Sequence, residues 1–445
     1  MGVATLFKCC FTLEEQPAVT QLGELPEEIL VLILMCLPLD ARLRAREVSR
    51  GWRALLSEPR FWLVLDFSAG SGVVACVTEK LLFAAGERRR GNLHTLDLTG
   101  ANHSLDPEHL VQFVAAHSQS LRSVTAPRSY GLSADRVTRL CRSAPLCTLQ
   151  CCALCDPAEA RPLLRCEDPC ALLHVFKLSV VNFDNNQQAV LDMAAALPSH
   201  SGKIEELIVS YASLRNVAVA DALMRGIAEA RVSDFTFIDC HLAPASLPGL
   251  TRLLQAGCLE RLDIDNVDMN NLGLILFEVG PDLTAFCHAL RSSRLQALEL
   301  RWCELWRDPA AAGELLSALV GHQTLRELSL IWDRPGDRDD ARRSAGEQFA
   351  SLIRHSSALH KLYLCVNYLG EAGLAPIFEA LPCSSTLKEM IFGYEGISGK
   401  FARDVILPAV RANTSLRTLG LESDRQRYGV LPELLEAQDI AAARA

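Results

Sequence analysis

One pattern of apolar residues, Leu-x-x-Leu-x-Leu with other apolar side chains tolerated, recurs along most of this chain and limits what it can fold into. It begins at Leu93, Leu121, Leu146, Leu173, Ile204, Val232, Leu259, Leu295, Leu325, Leu359, Leu387 and Leu416, at spacings of 25 to 36 residues. Alternating residues such as Leu96 and Leu98, or Leu328 and Leu330, put one face of a short strand into a core. The stretch that follows carries helical spacing, as in Leu315, Leu316, Leu319 and Val320. One such unit cannot bury its apolar face alone, so neighbours must stack and share a continuous core. The expectation is an α/β chain with a parallel sheet inside, helices outside and a concave binding surface. A length of 445 residues exceeds what one conventional core supports, and stacking resolves that.

The repeat resembles leucine-rich repeats of the long, ribonuclease-inhibitor-like class. Several units continue as that class expects: Phe237 leads to Cys240 and Leu242, Leu300 to Cys303 and Leu305, and Leu364 to Asn367 and Leu369. The units near Leu121, Leu146 and Leu173 are weaker, with Ala126 and Cys151 at the third apolar position of the first two. Two units are overlong, over residues 259–294 and 325–358, and such inserts map to loops on one rim. The second contains the charged run from Asp333 to Asp340, whose composition favours a solvated loop over a target-contacting edge. The tail from Leu431 through Ile440 reads as a capping helix.

Ahead of the repeats, residues 25–68 hold more apolar side chains than so short a segment could bury by itself, which implies a partner surface. Pro26 suits a first helical position, and Glu27 and Glu28 complement the helix dipole. Ile29, Ile33 and Leu37 recur every fourth residue before Pro38 stops the run, which predicts a strongly amphipathic helix. Asp40 can cap a second helix carrying Leu39 and Leu43, while Val48, Trp52, Leu55 and Leu56 fall on one face of a third that ends before Pro59. Gly51 costs that third helix roughly 1 kcal/mol relative to alanine. Trp62, Leu65 and Phe67 read as the opening strand of the repeat stack. The arrangement, with Leu25-Pro26 at its start, Leu37 and Leu39 around the first turn, Val48 and Trp52 in the third helix and Trp62 leading into a strand, resembles the F-box.

The two resemblances together imply an F-box protein with leucine-rich repeats: a flexible segment over 1–20, an F-box over 21–68, and repeats with a C-terminal cap over 69–445. They further imply a substrate receptor of an SCF-type cullin ubiquitin ligase. In such a receptor the F-box binds a Skp-family adaptor and, through it, a cullin, while the repeats hold a protein target and other subunits transfer ubiquitin. Leu25, Pro26, Ile29, Ile33, Leu37, Leu39, Val48, Trp52 and Leu55 are then the adaptor-contacting or interface-supporting residues. The chain itself needs no catalytic residue and no cofactor. The alternatives are a repeat scaffold or inhibitor acting outside a ligase, or a GTPase activator, for which Arg301 is the residue to deliver to a nucleotide site.

Asp263, Asp265, Glu299 and Glu327 take strand positions pointing away from the core, beside Arg261, Arg301 and Lys361. On neighbouring parallel strands they form a stripe with an acidic majority rather than a catalytic carboxylate pair. Trp302 and Trp332 lie just past two adjacent strands, either as core-edge packing or as anchors for a bound chain. Asp263, Asp265, Glu299, Arg301, Trp302, Glu327 and Trp332 are therefore the candidate target-binding residues, suited to a basic or mixed segment.

Cys147, Cys151, Cys152, Cys155, Cys166 and Cys170 cluster in one unit, and Cys152-Ala-Leu-Cys155 has metal-ligand spacing. The core register of Cys151 and the cysteine richness of the whole chain favour buried thiols and no metal. Phosphate-cradling glycine loops, nucleophile elbows and zinc-binding helix motifs do not occur. A net charge of -9 and a pI near 5.7 argue against general nucleic-acid binding; Arg88-Arg89-Arg90 reads as a solvated helix end. The apolar run from Ile29 to Leu37 is far short of the roughly 20 residues that cross a bilayer. Seventeen scattered cysteines, without a convincing signal peptide, read as reduced thiols of the cytoplasm or nucleus. Leu6 departs from the myristoylation motif, which argues against a lipid anchor and leaves only the pair Cys9 and Cys10 as candidates for one.

Overall fold

The structure, a computed structural model, describes residues 26–37, 39–67, 82, 93–98, 106–126, 133–144, 146, 148–154, 175–180, 187–200, 204–212, 214–266, 275–331, 333, 335–336, 338–365, 367–393, 397–422 and 431–444. The chain divides into two compact units, residues 1–153 with 168–177, and residues 154–167 with 178–445. Among the described residues no helix is long and apolar enough to cross a membrane. The candidate lipid-anchor positions, Arg88 to Arg90, Cys147, Cys155, Cys166 and Cys170 lie outside the described residues. So do the side chains of Cys151 and Cys152, whose backbone belongs to a strand.

The first unit opens with three short helices: α1 (Glu27–Met35), α2 (Leu39–Val48) and α3 (Arg50–Leu55). Pro26 flanks α1 from an extended conformation instead of occupying its first turn, and Asp40 lies inside α2 rather than capping it. Val48 closes α2, so it does not share a helix with Trp52 and Leu55. The break is made by Ser49, whose extended backbone ends α2 and whose Oγ accepts the Trp52 N–H at 3.0 Å, capping α3. Arg42 ties α2 to the turn before it and to the 3-10 turn beyond α3, donating from Nε to the Leu37 carbonyl at 2.8 Å and from Nη1 to the Phe61 carbonyl at 2.6 Å. Trp62, in a 3-10 turn over Pro59–Trp62, is buried and donates from Nε1 to the Leu56 carbonyl at 2.7 Å.

That turn leads into β1 (Val64–Asp66), which pairs in parallel with β2 (Thr95–Asp97); β3 (Ser123–Thr125) and β4 (Thr148–Leu154) follow in order. The register aligns Leu65, Leu96, Val124 and Leu149, all buried, as one rung of a shared core. Helices α4 (Pro107–Ala116) and α5 (Ala134–Ser143) join the later strands, capped by Asp106 and Ser133. Strand β5 (Val175–Val180) belongs to the unit that begins at Leu173.

The second unit repeats the same device with higher regularity. Strands β6 (Ile204–Ser210), β7 (Asp234–Ile238), β8 (Arg261–Asp265), β9 (Ala297–Arg301), β10 (Glu327–Ile331), β11 (Lys361–Leu364), β12 (Glu389–Gly393) and β13 (Thr418–Glu422) pair in parallel, each with its sequence neighbour. Leu207, Phe235, Leu262, Leu298, Leu328, Leu362, Met390 and Leu419 align across this ladder and are buried. Between strands run α6 (Gln187–Ala196), α7 (Val217–Ala230), α8 (Leu247–Gln255), α9 (Pro281–Ser292), α10 (Pro309–Leu319), α11 (Asp339–His355), α12 (Gly370–Ala380) and α13 (Leu407–Ala412). Every start of the sequence pattern thus coincides with a strand or precedes one by two residues. The last helix, α14 (Pro432–Ala442), closes the stack with Leu434, Ala437 and Ala441 buried, and Gln438 donates to the Leu419 carbonyl at 2.9 Å.

The turns after β7, β8, β9 and β11 are each held by a buried polar side chain. Cys240 reaches the Val209 carbonyl at 3.3 Å, Cys303 the Ile264 carbonyl at 3.8 Å, and Asn367 the Leu330 carbonyl at 2.8 Å. Asn266 brackets Leu242, accepting its N–H at 2.8 Å and donating to its carbonyl at 3.2 Å. The charged run from Asp333 to Asp340 departs from the solvated loop its composition favours. Asp333 is fully buried among these turn residues, and Asp339 and Asp340 form the first turn of α11, so the segment is not a wholly solvated loop.

Candidate functional site

The first candidate surface is built by α1 and α2. The amphipathic stripe expected of Ile29, Ile33 and Leu37 is not what forms. Val31 and Leu34 are buried, Ile33 is half-buried, and Leu37 lies past the end of the helix, also half-buried. A spacing of four drifts around a helix of 3.6 residues per turn, so the stripe rotates out of the packed face. What points outward is Ile29 (45% exposed), Leu32 (59%) and Met35 (49%), with Val48 of α2 at 66%. Helix α1 is therefore apolar on both its packed and its open side, and the open side has three large apolar residues that a small module would ordinarily bury. Sequence reasoning missed Leu32 and Met35; the signal available was that the run from Ile29 to Met35 holds no polar residue.

The remaining candidates on this module divide. Leu55 is buried and supports α3 from within, Trp52 is half-buried, and Pro26 is exposed. Leu25 lies outside the described residues, and of Leu39 only the backbone is described.

The second candidate surface is the outward face of β8 to β11. The register places Asp263 beside Glu299, Asp265 beside Arg301, and Arg261, Ala297, Glu327 and Lys361 in one row. Arg301 gathers the acids: its Nη2 donates to Asp263 Oδ2 at 3.0 Å, its Nη1 is 3.8 Å from Asp265, and its Nε lies 2.6 Å from Glu299 as a close ion pair without hydrogen-bond alignment. Glu327 pairs with Lys361 at 2.8 Å and Arg261 at 3.6 Å. The expected acidic stripe is thus an ion-pair lattice with a surplus of carboxylates.

That surplus has consequences for protonation. Burial, and then the neighbouring Glu299 charge, lift the Asp263 carboxyl to about 7 against the pull of Arg301. Burial lifts Asp265 to about 6, again opposed by Arg301. Three acids share one guanidinium, and one oxygen each of Asp263 and Asp265 is buried without a hydrogen-bond partner among the described residues. Arg301 is held among carboxylates, which is no posture for an arginine delivered to a nucleotide. Trp302 follows β9 in a left-handed conformation, half-buried, with its N–H on the Ile331 carbonyl at 3.2 Å. Trp332 lies outside the described residues.

The F-box-like family model matches residues 22–68 of this chain. That match covers the three short helices and β1, and the strand-and-helix repeats follow it. It is 27% identical to the NACHT, LRR and PYD domains-containing protein 5 of Bos taurus over 43% of its own length and 20% of that relative. The chain therefore spans about a fifth of the length of the curated relative it matches. Among solved structures, the complex of Rad7 and Elc1 in yeast overlaps 88% of this chain and 92% of that chain at 11% identity and a TM-score of 0.40. The leucine-rich repeat-containing protein LegL7 from Legionella pneumophila overlaps 86% and 98% at 12% identity and a TM-score of 0.36. The tropomodulin C-terminal domain of Caenorhabditis elegans overlaps 37% and 92% at 17% identity and a TM-score of 0.29.

Proposed function

We propose that this chain is the substrate-recognition subunit of an SCF-type cullin ubiquitin ligase. Its F-box-like module carries a Skp-family adaptor, and its repeats hold the protein to be ubiquitinated. The observation that carries the reading is the open apolar face of Ile29, Leu32 and Met35, with Val48 exposed on the next helix, in a module that matches the F-box-like family. Such a face loses free energy in water and regains it against a complementary apolar surface, at roughly 25 cal/mol for each Å² covered. Ligation would follow from proximity, because a tethered target meets the charged ubiquitin carrier at high effective concentration. The outward face of β8 to β11 is the target side in this reading, and the work belongs to a reducing compartment, the cytoplasm or nucleus.

The test is co-purification of the full chain with a Skp-family adaptor and its cullin. Replacing Ile29 and Leu32 by aspartate puts two charges on the open face without touching Val31 or Leu34, and adaptor recovery should be lost. Undiminished recovery from that variant overturns the reading. Recovery of the adaptor without a cullin would instead support the alternative of a scaffold or inhibitor acting outside a ligase.

A further inference from the structure

Three buried turn residues of the second unit, Cys240, Cys303 and Asn367, follow one rule. Each stands three positions after a buried strand residue and donates a hydrogen to the main-chain carbonyl of the paired residue on the preceding strand. Cys240 follows Phe237, which pairs with Val209, and its thiol reaches the Val209 carbonyl. Cys303 follows Leu300, which pairs with Ile264, and reaches the Ile264 carbonyl. Asn367 follows Leu364 and reaches the Leu330 carbonyl through Nδ2. Asp333 follows Leu330, which pairs with Leu300, and so occupies the same position. It is fully buried, its Oδ1 accepts the Leu305 N–H at 2.9 Å, and its own N–H donates to Asn367 Oδ1 at 2.9 Å.

The exception is Oδ2. That oxygen is buried with no hydrogen-bond partner among the described residues. A carboxylate has only lone pairs to offer at a position where the other three side chains present a donor, whereas a carboxylic acid supplies an O–H in place of N–H or S–H. We propose that Asp333 works as a neutral carboxylic acid whose Oδ2 proton is donated to the Leu300 carbonyl, and that losing this proton as pH rises loosens the joint between the β9 and β10 repeats.

The surroundings favour the neutral form. Burial, helped by the Glu304 carboxylate, lifts the Asp333 carboxyl to about 7 against the N–H groups of Leu305, Cys303 and Glu304. From the β9 repeat, Glu304 and the Cys303 thiol face it, and burial keeps that thiol protonated; Asn367, from the β11 repeat, is uncharged. Arg334 and Asp337 of its own loop lie outside the described residues. Because the folded carboxyl sits above its ordinary 3.8, the folded chain keeps a proton that the unfolded chain releases. The resulting stabilisation is complete below that ordinary value and is lost as pH rises through about 7. The joint adjoins the candidate target face, since Trp302, next to Cys303, donates to Ile331 at the end of β10. A small change of pH near neutrality would therefore stiffen or slacken that rim.

The experiment compares the full chain with Asp333→Asn, which keeps the shape and supplies a permanent donor. At about pH 8 the variant should melt several degrees above the wild type, and the gap should close as pH falls to about 5. Taking the difference between the two proteins removes the titration of Asp263 and Asp265, which both retain. Parallel melting curves across that range, or a variant less stable at the higher pH, overturn the proposal. Should Asp333→Asn fail to fold, hydrogen exchange of the wild type decides. After correction for intrinsic rates, amides at 303–305 and 331–333 should lose protection as pH rises from about 6 to about 8, and constant protection refutes the switch.

Discussion

Gly346 of α11 and Gly373 of α12 meet so closely that a methyl group built on Gly346 would collide with the Gly373 main-chain carbonyl. Two of the longer helices in the second unit therefore pack backbone against backbone, a spacing that only glycine permits. An alanine there would gain up to about 1 kcal/mol of helix propensity. Overpacking a close contact costs about 1–3 kcal/mol, and because backbone cannot move aside as a side-chain tip can, the cost wins. Gly346→Ala should lower the urea midpoint of the full chain. A midpoint at or above the wild type would mean that the helices can separate without loss.

Gly51 is the opposite case. It lies in the first turn of α3, exposed, and a methyl group there meets only Ser49 Oγ at 3.8 Å. Nothing in the fold uses the missing side chain, so Gly51→Ala should stabilise the F-box-like module by up to about 1 kcal/mol, through reduced freedom of the unfolded chain. Thermal melting, with adaptor co-purification unchanged, checks it; a lower melting temperature would mean α3 must bend on binding or folding.

These two glycines mark how far the sequence could be read. The strands were legible because Leu-x-x-Leu-x-Leu reports a buried face with period two, and the face is buried wherever units stack. The F-box-like helices were legible as elements but not as surfaces. Val31 and Leu34 face inward and Leu32 and Met35 outward, yet all four are apolar, so no polar residue marks the sides of α1. The partners of Arg301 depend on register between strands about 40 residues apart, and the burial of Asp333 depends on its place three residues past Leu330. A charged run looks solvated in one dimension; the turn geometry that buries its first member is a three-dimensional fact.

His322 carries a pH dependence opposite in sign to that of Asp333. It is buried, its Nε2 lies 3.0 Å from the Leu290 carbonyl, and its Nδ1 accepts the N–H groups of Thr324 and Leu325 at 3.3 and 3.1 Å. Only the neutral ring can donate from one nitrogen and accept at the other. Burial holds its pKa below the ordinary 6.5, so its contribution is complete above that value and is lost as pH falls through the lower folded value. Asn413 performs the same task three repeats later with Oδ1 and Nδ2 and no titration in this range. His322→Asn should therefore melt close to the wild type at about pH 7.5 and progressively above it toward about pH 5. Equal slopes for the two proteins would show that the ring does not titrate in the transition.

The target face can be tested only by changes that respect Arg301. Reversing Asp263 or Glu299 to lysine would set a second cation against that guanidinium and disturb the sheet itself, so any loss of binding would be ambiguous. Neutral isosteres are the better probe. Asp263→Asn, Glu299→Gln and Glu327→Gln together remove the acidic surplus, leave every backbone position intact, free Lys361 and Arg261 from Glu327 and leave Arg301 with Asp265 alone. A basic or mixed segment steered to this face should then be captured several-fold less well. The wild-type advantage should shrink as salt rises, because charges farther apart than about 8 Å are screened at physiological ionic strength. Adaptor co-purification through Ile29 and Leu32 serves as the control for folding, since those residues belong to a different unit of the chain. If targets recovered by mass spectrometry bind the triple variant at wild-type strength, the ion-pair lattice only holds the strands together, and the rim beside Trp302 becomes the place to look for the target.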